Sequence, residues 1–578
     1  MQRRFGADFA AQYGCAAWLV ETLVAPGHDG ASLQAANWRR LGETTGRGRQ
    51  DRGHDRAVGR KAIYVRELVT DWRRRLGVGP PPPLASDPLA PCAGLDGRAW
   101  AAAEFGAASL GDARLGARLV TVAGIKGENP MASFPAAARG DRAQIKACYR
   151  FLDPPDPAAV TPAAILRPHR ERTLRRMRGE PVVLCLQDGT DLNFATRPGC
   201  AGLGVIGRSQ TGVGTLGLHL HSMLPVSPTG LPLGIVSARF DAPPGKDAPE
   251  PPDGRKTGRW LEGYRTCAEL GGELGPGRVV CVADREADIL ELFEAQRERP
   301  DAELLVRARG RRRIAVKGGS PGSPRKRPTV SLLEALRAAP VRGRMLVAID
   351  RLTPRPKSSR RQARPERHAR SATLVLRSRT VELAPTARQH QGKPPMWLQG
   401  VLVEEERTPE TAEPIQWLLL TTLPVDTLEA CRTVVAYYAR RWRIEDWHRI
   451  LKSGCKVEDL ANRSADRLER AATINLVIAW RLHLMTLIGR DHPNWPADVL
   501  FSEIEITVLK AYAAQQRLDP PDTINRAVGT IARIGGHMHR PRGPPPGPKV
   551  IWRGYVTLGG TCIGYTLAIE QREWERST

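Results

Sequence analysis

The chain of 578 residues is marked first by what it has little of. No apolar run approaches the roughly 18 residues that a membrane span needs, which argues against an integral membrane protein. The opening MQRRFGADFAAQYG has no long apolar core followed by a small-residue cleavage site, so no secretory signal is expected. Ten cysteines are scattered without a CxxC pair, which argues against both a zinc ribbon and a disulfide framework. Acidic residues are in deficit: 61 Asp+Glu face 87 Lys+Arg, a formal net charge of +26. Lysine is scarce as well, at 13, so 74 of the basic residues are arginines. These absences leave a cytoplasmic protein with an anionic partner.

Arginine richness alone can reflect GC-rich codons, so location carries more information than the total. Between Arg307 and Arg370 there are 20 basic and 3 acidic residues, a local net of +17 in 64 residues. Such density suits neutralising a phosphate backbone, with binding that weakens steeply in salt. For 354–370 (PRPKSSRRQARPERHAR) a solvated basic loop is the other reading of the same composition.

The length suits three or four folded units, and 48 prolines and 56 glycines punctuate it. Residues 1–79 form a small module, with KAIYVREL alternating as a strand, before the Pro-rich linker at 80–97. Helical periodicity follows, clearest in LGDARLGARLVTVAG, with Asp112 placed as an N-cap and Arg114 and Arg118 on one face. Short apolar runs bounded by Gly and Pro then read as buried strands: PVVLCLQD, LHLHSMLPV, LPLGIVSARF and RVVCVADRE. Helical segments alternate with them, which indicates an α/β core. From 304 to 422 the pattern is mostly β, and the chain then returns to helix at 427–452, 466–488 and 503–516.

Two apolar runs end in a carboxylate, at Asp188 and at Asp284. On a helix over 427–452, Tyr438, Arg441, Glu445 and Lys452 fall within an arc of roughly 60°. A strand-end aspartate is also a common turn former, and a helical Glu among arginines a common surface ion pair. Together, three carboxylates with two cations and a phenol match the needs of phosphodiester displacement, where paired Mg²⁺ ions stabilise the attacking and leaving oxygens.

These residues also carry a resemblance. YARRWRIEDWHRILKSG (438–454) resembles the Y-(2)-R-(3)-E-(6)-K signature of the insertion-sequence-four family of DDE transposases. QDGTDLNF (187–194) and VADREADI (282–289) are similar to that family's first and second aspartate motifs. The resemblance implies an α/β fold: an RNase H-like catalytic core interrupted by a β-rich insertion, with helical N-terminal DNA-binding and C-terminal domains. It implies Asp188, Asp284 and Glu445 as catalytic metal ligands for Mg²⁺, with Mn²⁺ as a substitute. Tyr438, Arg441 and Lys452 carry over as phosphate contacts. Trp417 in PIQWLLLTTLPV matches a base-stacking tryptophan, though a strand tryptophan is also ordinary core, and Arg307 matches an insertion position near the active site. SLGDARLGARLVTVA and ACYRFLDPPD resemble the domain that recognises transposon ends, which makes Arg114 and Arg118 candidate DNA contacts. Gly189 departs from the pattern, standing where relatives often carry a threonine.

The domains implied are 98–165 for end binding, 166–303 and 425–465 for the two parts of the core, 304–424 for the basic insertion and 466–578 for the C-terminal helices. ETLVAPGHDGASLQAANWRRLGETTGRGRQDR, within 1–79, resembles the terminal part of a Druantia-A-like domain found fused to some of these transposases. The expected function is cut-and-paste transposition by phosphodiester hydrolysis and strand transfer. The partners implied are double-stranded DNA, as terminal inverted repeats and target, and a second copy of the chain in the synaptic complex. A bacterial, nucleoid-associated location follows. A nuclease without strand transfer, or an inactive DNA-binding derivative, would share most of these features.

Overall fold

The computed structural model describes residues 9, 12, 16–28, 33, 38–44, 60–68, 99–208, 214–243, 255–315, 329–349, 369–383, 394–409, 413–538 and 545–577. The chain divides into two compact units, Met1–Pro88 and Leu89–Thr578. The first contains a three-stranded antiparallel sheet of β1 (Leu19–Val24), β2 (Arg39–Glu43) and β3 (Ala62–Glu67), in the order β1-β3-β2. KAIYVREL supplies β3, whose Tyr64 and Val65 are buried. The Pro-rich run lies outside the described residues.

The second unit opens with helices α1 (Ala99–Phe105), α2 (Ala113–Glu128), α3 (Phe134–Ala137), α4 (Arg142–Leu152) and α5 (Pro162–Arg178). Short polar side chains start most of them. Asp112 accepts from the backbone N–H of Arg114, as its position before the periodic run suggested, and Asp141 accepts from Ala143 and Gln144. Trp100, Phe105, Leu119, Val122 and Phe151 close a common core among these helices.

Next come β4 (Val183–Asn193), β5 (Gly204–Arg208), β6 (Gly214–Val226), β7 (Ser237–Asp241), α6 (Arg255–Leu274), β8 (Val279–Ala283), α7 (Leu290–Glu298) and β9 (Glu303–Arg307). The β-rich stretch continues through β10 (Arg313–Ala315), β11 (Thr329–Ser331), α8 (Leu332–Arg337), β12 (Val341–Ile349), β13 (Arg370–Leu383), β14 (Met396–Glu405) and β15 (Gln416–Thr421). All twelve strands join one sheet, ordered β11-β10-β13-β14-β15-β9-β8-β4-β6-β5, with β12 on β13 and β7 on β6. Among the described strands only β4, β8 and β9 pair in parallel, near its centre. The β-rich segment is therefore no separate layer: β15 docks on β9 and extends the central sheet.

Alternation along β4 and β8 feeds two cores. Val183, Cys185, Val279 and Cys281 face one, with Trp260, Tyr264 and Cys267 of α6. Leu184, Leu186, Val280 and Val282 face the other, under the C-terminal helices. Those helices are α9 (Leu428–Ala439), α10 (Trp442–Arg449), α11 (Ala465–Asp491), α12 (Glu503–Gln515), α13 (Ile524–Ile534) and α14 (Pro548–Ser577). Among the described residues α11 alone is long and apolar enough to cross a membrane, and its apolar stretch lies wholly inside the protein as the core helix.

Three expectations change here. Asp188 does not end its strand: β4 runs on to Asn193, paired with β6 throughout, so the aspartate sits in mid-strand. Of LPLGIVSARF, only the end becomes β7. The helix expected over 427–452 is two helices and a π turn at Ile450–Gly454. At the break the N–H groups of Arg440 and Arg441 bond three residues back, to Tyr437 and Tyr438, which tightens the turn; Cys455 N–H then reaches five back to Ile450 and widens it.

Candidate active site

The parity of β4 puts Asp188 on the sheet face covered by α10. There Arg441 ties two elements together. Its Nη1 lies 3.3 Å from Asp188 Oδ2, across 253 residues of sequence, and its Nη2 donates to Glu445 Oε1. Asp188 Oδ1 accepts from the N–H of Gly189 at 2.8 Å. Asp284 follows β8, the parallel neighbour of β4, and its Oδ1 caps a short 3₁₀ turn through Glu286 N–H at 2.8 Å. Burial pushes the Asp188 carboxyl up to about 7. Arg441 opposes that rise, while the charges of Asp284 and Glu445 add to it. Two carboxylates thus bear electrostatically on a third, with a guanidinium among them.

Tyr438 is only 2% exposed. Its ring meets Trp417 of β15 edge-on, with centroids 5.3 Å apart, and its phenol interacts electrostatically with the side chains of Arg307 and Arg441. Tyr438, buried beside the two arginines, has little surface of its own to offer a ligand. Arg307 Nη2 donates to Gln416 O at 3.4 Å. The buried Nε atoms of both Arg307 and Arg441 have no hydrogen-bond partner among the described residues. Orphaned guanidinium donors beside an acidic cluster are what an incoming phosphate oxygen would satisfy.

Lys452 lies in the π turn that follows α10. Its Nζ donates to Asp191 O at 2.6 Å and lies 3.9 Å from Glu458. Trp417 is part-buried against the core, and Trp442, 56% exposed, lies under the Arg441 guanidinium at 5.5 Å. Asp188, Arg441 and Glu445 are therefore in contact, with Tyr438, Trp417 and Arg307 adjoining them. Arg114 and Arg118 belong to α2, at a different place in the fold. Arg114 is exposed and folds back on Asp112 at 3.0 Å.

Some supporting residues have no signature in the sequence. Ser222 of β6 is the register partner of Asp188, and its Oγ lies 2.9 Å from His448 Nε2 on α10. Both are buried, so this bond pins the helix bearing Glu445 to the strand beside Asp188. Position three after Glu445 was the only hint. Gly189 also gains a reason: a Cβ there would stand 2.9 Å from His219 Nε2, whose ring pairs with Asp191 at 2.8 Å.

The basic stretch reads differently in three dimensions. Nine of its 20 basic residues are described, and most are engaged in the fold. Arg312 pairs with buried Asp288, Arg337 with Glu404, Arg344 with Glu406 and Arg370 with Glu405. The basic segment 354–370 lies outside the described residues except for its last two positions.

The chemistry of the donor set, three carboxylates, fits a hard divalent cation, and the charges of Asp284 and Glu445 add to the burial that raises Asp188. Among the described residues no three acidic, His or Cys groups stand close enough to enclose a metal as placed, since Arg441 lies between Asp188 and Glu445. Two family models match the chain. Residues 97–156, which hold α1 to α4, match Transposase DNA-binding. Residues 263–481 match Transposase DDE domain, a span that includes Asp284 and Glu445 and begins after Asp188.

Proposed function

Because the chain carries a transposase DNA-binding domain and a transposase DDE domain, we propose that it is a cut-and-paste DNA transposase of the insertion-sequence-four type. The observation that carries the catalytic assignment is the Arg441 bridge between Asp188 and Glu445, on elements far apart in sequence. Asp188, Asp284 and Glu445 would hold the divalent metal that DDE domains typically use, here Mg²⁺ or Mn²⁺. That metal supplies activation of the attacking oxygen and charge relief at phosphorus.

The chain's own residues do the rest. Arg307 and Arg441 offer their unpaired Nε donors to phosphate oxygens, and Tyr438 keeps the two guanidiniums aimed. Lys452, on the rim, contacts the backbone of the bound strand. Trp417 stacks on an extruded base once Tyr438 gives way. The helices at 99–152, with Arg114 and Arg118, grip the terminal inverted repeats, and the same centre first cuts the end and then joins it to target DNA. Synapsis of two ends requires two copies, and the work is done in the bacterial cytoplasm on nucleoid DNA.

A donor-plus-target assay tests this reading. Asp188→Asn, Asp284→Asn and Glu445→Ala should each abolish end cleavage while terminal-repeat binding persists. Cleavage without any joined product would reassign the protein as a nuclease. Unchanged cleavage in Glu445→Ala would remove the site assignment.

A further inference from the structure

The C-terminal helices form an open cavity of about 270 Å³ that the catalytic centre does not use. It lies between the end of α11, the exposed face of α13 and Pro545 and Pro546. Leu518, Val528 and Ile551 form an apolar floor, with Val528 and Ile551 buried. Exposed Arg490, Arg526 and Arg533 stand around the mouth. Arg526 and Arg533 are seven residues apart on α13, hence on one face and about 10.5 Å apart along its axis.

We propose that this cavity receives one nucleotide of a nucleic-acid strand, its base against the apolar floor and its flanking phosphates on the three guanidiniums. The choice of a nucleic-acid strand rests on the transposase reading. The rest follows from the site. The volume is just below the range of about 300–1,000 Å³ usual for small-ligand pockets, which suits a single nucleotide. Guanidinium forks match phosphate oxygens, and an apolar floor accepts any base face. The arginines have capacity to spare. Arg490 Nη2 donates to Pro546 O at 3.0 Å, and Arg526 stands 3.8 Å from Asp519, beyond hydrogen-bond length. Asp519 is the only carboxylate among the described lining residues.

Gly529 makes the test clean. It lines the cavity, and a Cβ there would meet nothing within 4 Å, so Gly529→Leu fills the space without a backbone clash. Full-length protein is titrated against a fluorescent single-stranded hexanucleotide unrelated to the terminal repeat, with anisotropy as the readout. Gly529→Leu and the pair Arg526→Ala/Arg533→Ala should each weaken binding about tenfold, as expected for losing one stacked base or its phosphate contacts. Gly529→Ala should bind as wild type, with the same thermal midpoint as the Leu variant. Wild-type affinity in Gly529→Leu would overturn the proposal. Equal displacement by inorganic phosphate or by an acidic peptide would also overturn it, because no base would then be recognised. A mononucleotide that binds as tightly as the hexanucleotide would make free nucleotide the ligand and refute a strand site. Asp188→Asn should leave this binding unchanged, so the proposal and the catalytic reading fail separately.

Discussion

Single residues near the centre show how burial changes the meaning of a motif. Tyr438 belongs to a legible signature, yet packing against Trp417 leaves it buried beside Arg307 and Arg441. Glu104 shows the converse, a residue with no motif and a large structural burden. Its carboxylate, fully buried, accepts from His169 Nδ1 at 2.5 Å and Arg172 at 3.0 Å and pairs with Arg176. Arg176 stacks 4.5 Å over Trp480, and His169 Nε2 accepts from Ile235 N–H at 3.0 Å. That last bond requires neutral His169, and burial indeed pushes its pKa down against the pull of Glu104. Glu104→Gln should cost about 3–5 kcal/mol in denaturant unfolding, since two arginines lose their counter-charge in the interior. The pH dependence has a definite sign. Burial raises the Glu104 pKa, but Arg176, His169 and Arg172 outweigh it and hold the folded value near 2 against 4.5. Its contribution is complete above about pH 4.5 and disappears as pH falls towards 2. His169 acts in the same direction from about pH 6.5 downward, because the unfolded chain takes up the proton first. An unfolding series from pH 7 to 3 in Glu104→Gln should therefore lose the low-pH part of the wild-type slope.

At the level of elements, α10 matters most, because it brings Glu445 to the strand bearing Asp188. The 3.6-residue period placed Tyr438, Arg441 and Glu445 together, and their grouping survives the break at Arg440 and Arg441. The π turn that holds Lys452 leaves no trace in side-chain periodicity. The strand reading had a similar limit: apolar alternation stops at Leu186, but the β6 partner carries the ladder on to Asn193. Ser222→Ala should cost about 1–3 kcal/mol by leaving buried His448 Nε2 unpaired. It should also reduce end cleavage more than end binding, as a loosened α10 shifts Glu445. Equal loss of both would mean that the bond supports the fold alone.

Across the whole molecule the central question is where a charge of +26 acts. Composition pointed to the stretch from Arg307 to Arg370, but the fold holds Arg312, Arg337, Arg344 and Arg370 in ion pairs. Backbone grip should thus come from arginines that no carboxylate satisfies. Arg344→Gln should leave the slope of log K against log salt for DNA unchanged. Replacing the basic residues of 354–368 by Gln should make that slope shallower by roughly 0.9 for each phosphate contact removed. Equal slopes in all three proteins would place the DNA path elsewhere. The long helix α11 unites the second unit: Arg470 donates to carbonyls of Leu152, Pro157 and Val160, and Trp480 donates to Pro232 O beside the sheet.

The sequence by itself determined the α/β class, the N-cap at Asp112 and the carboxylates worth examining. Those depend on local propensity, periodicity and residue chemistry, which a single chain displays directly. Tertiary structure decided the continuity of the β-rich segment with the central sheet, through the β15–β9 pairing. It also decided that Arg441 joins Asp188 to Glu445, that Tyr438 is buried and that most described insertion arginines are spent on the fold. Each of these is a long-range contact. Pairing, burial and charge compensation between segments hundreds of residues apart have no local pattern to announce them.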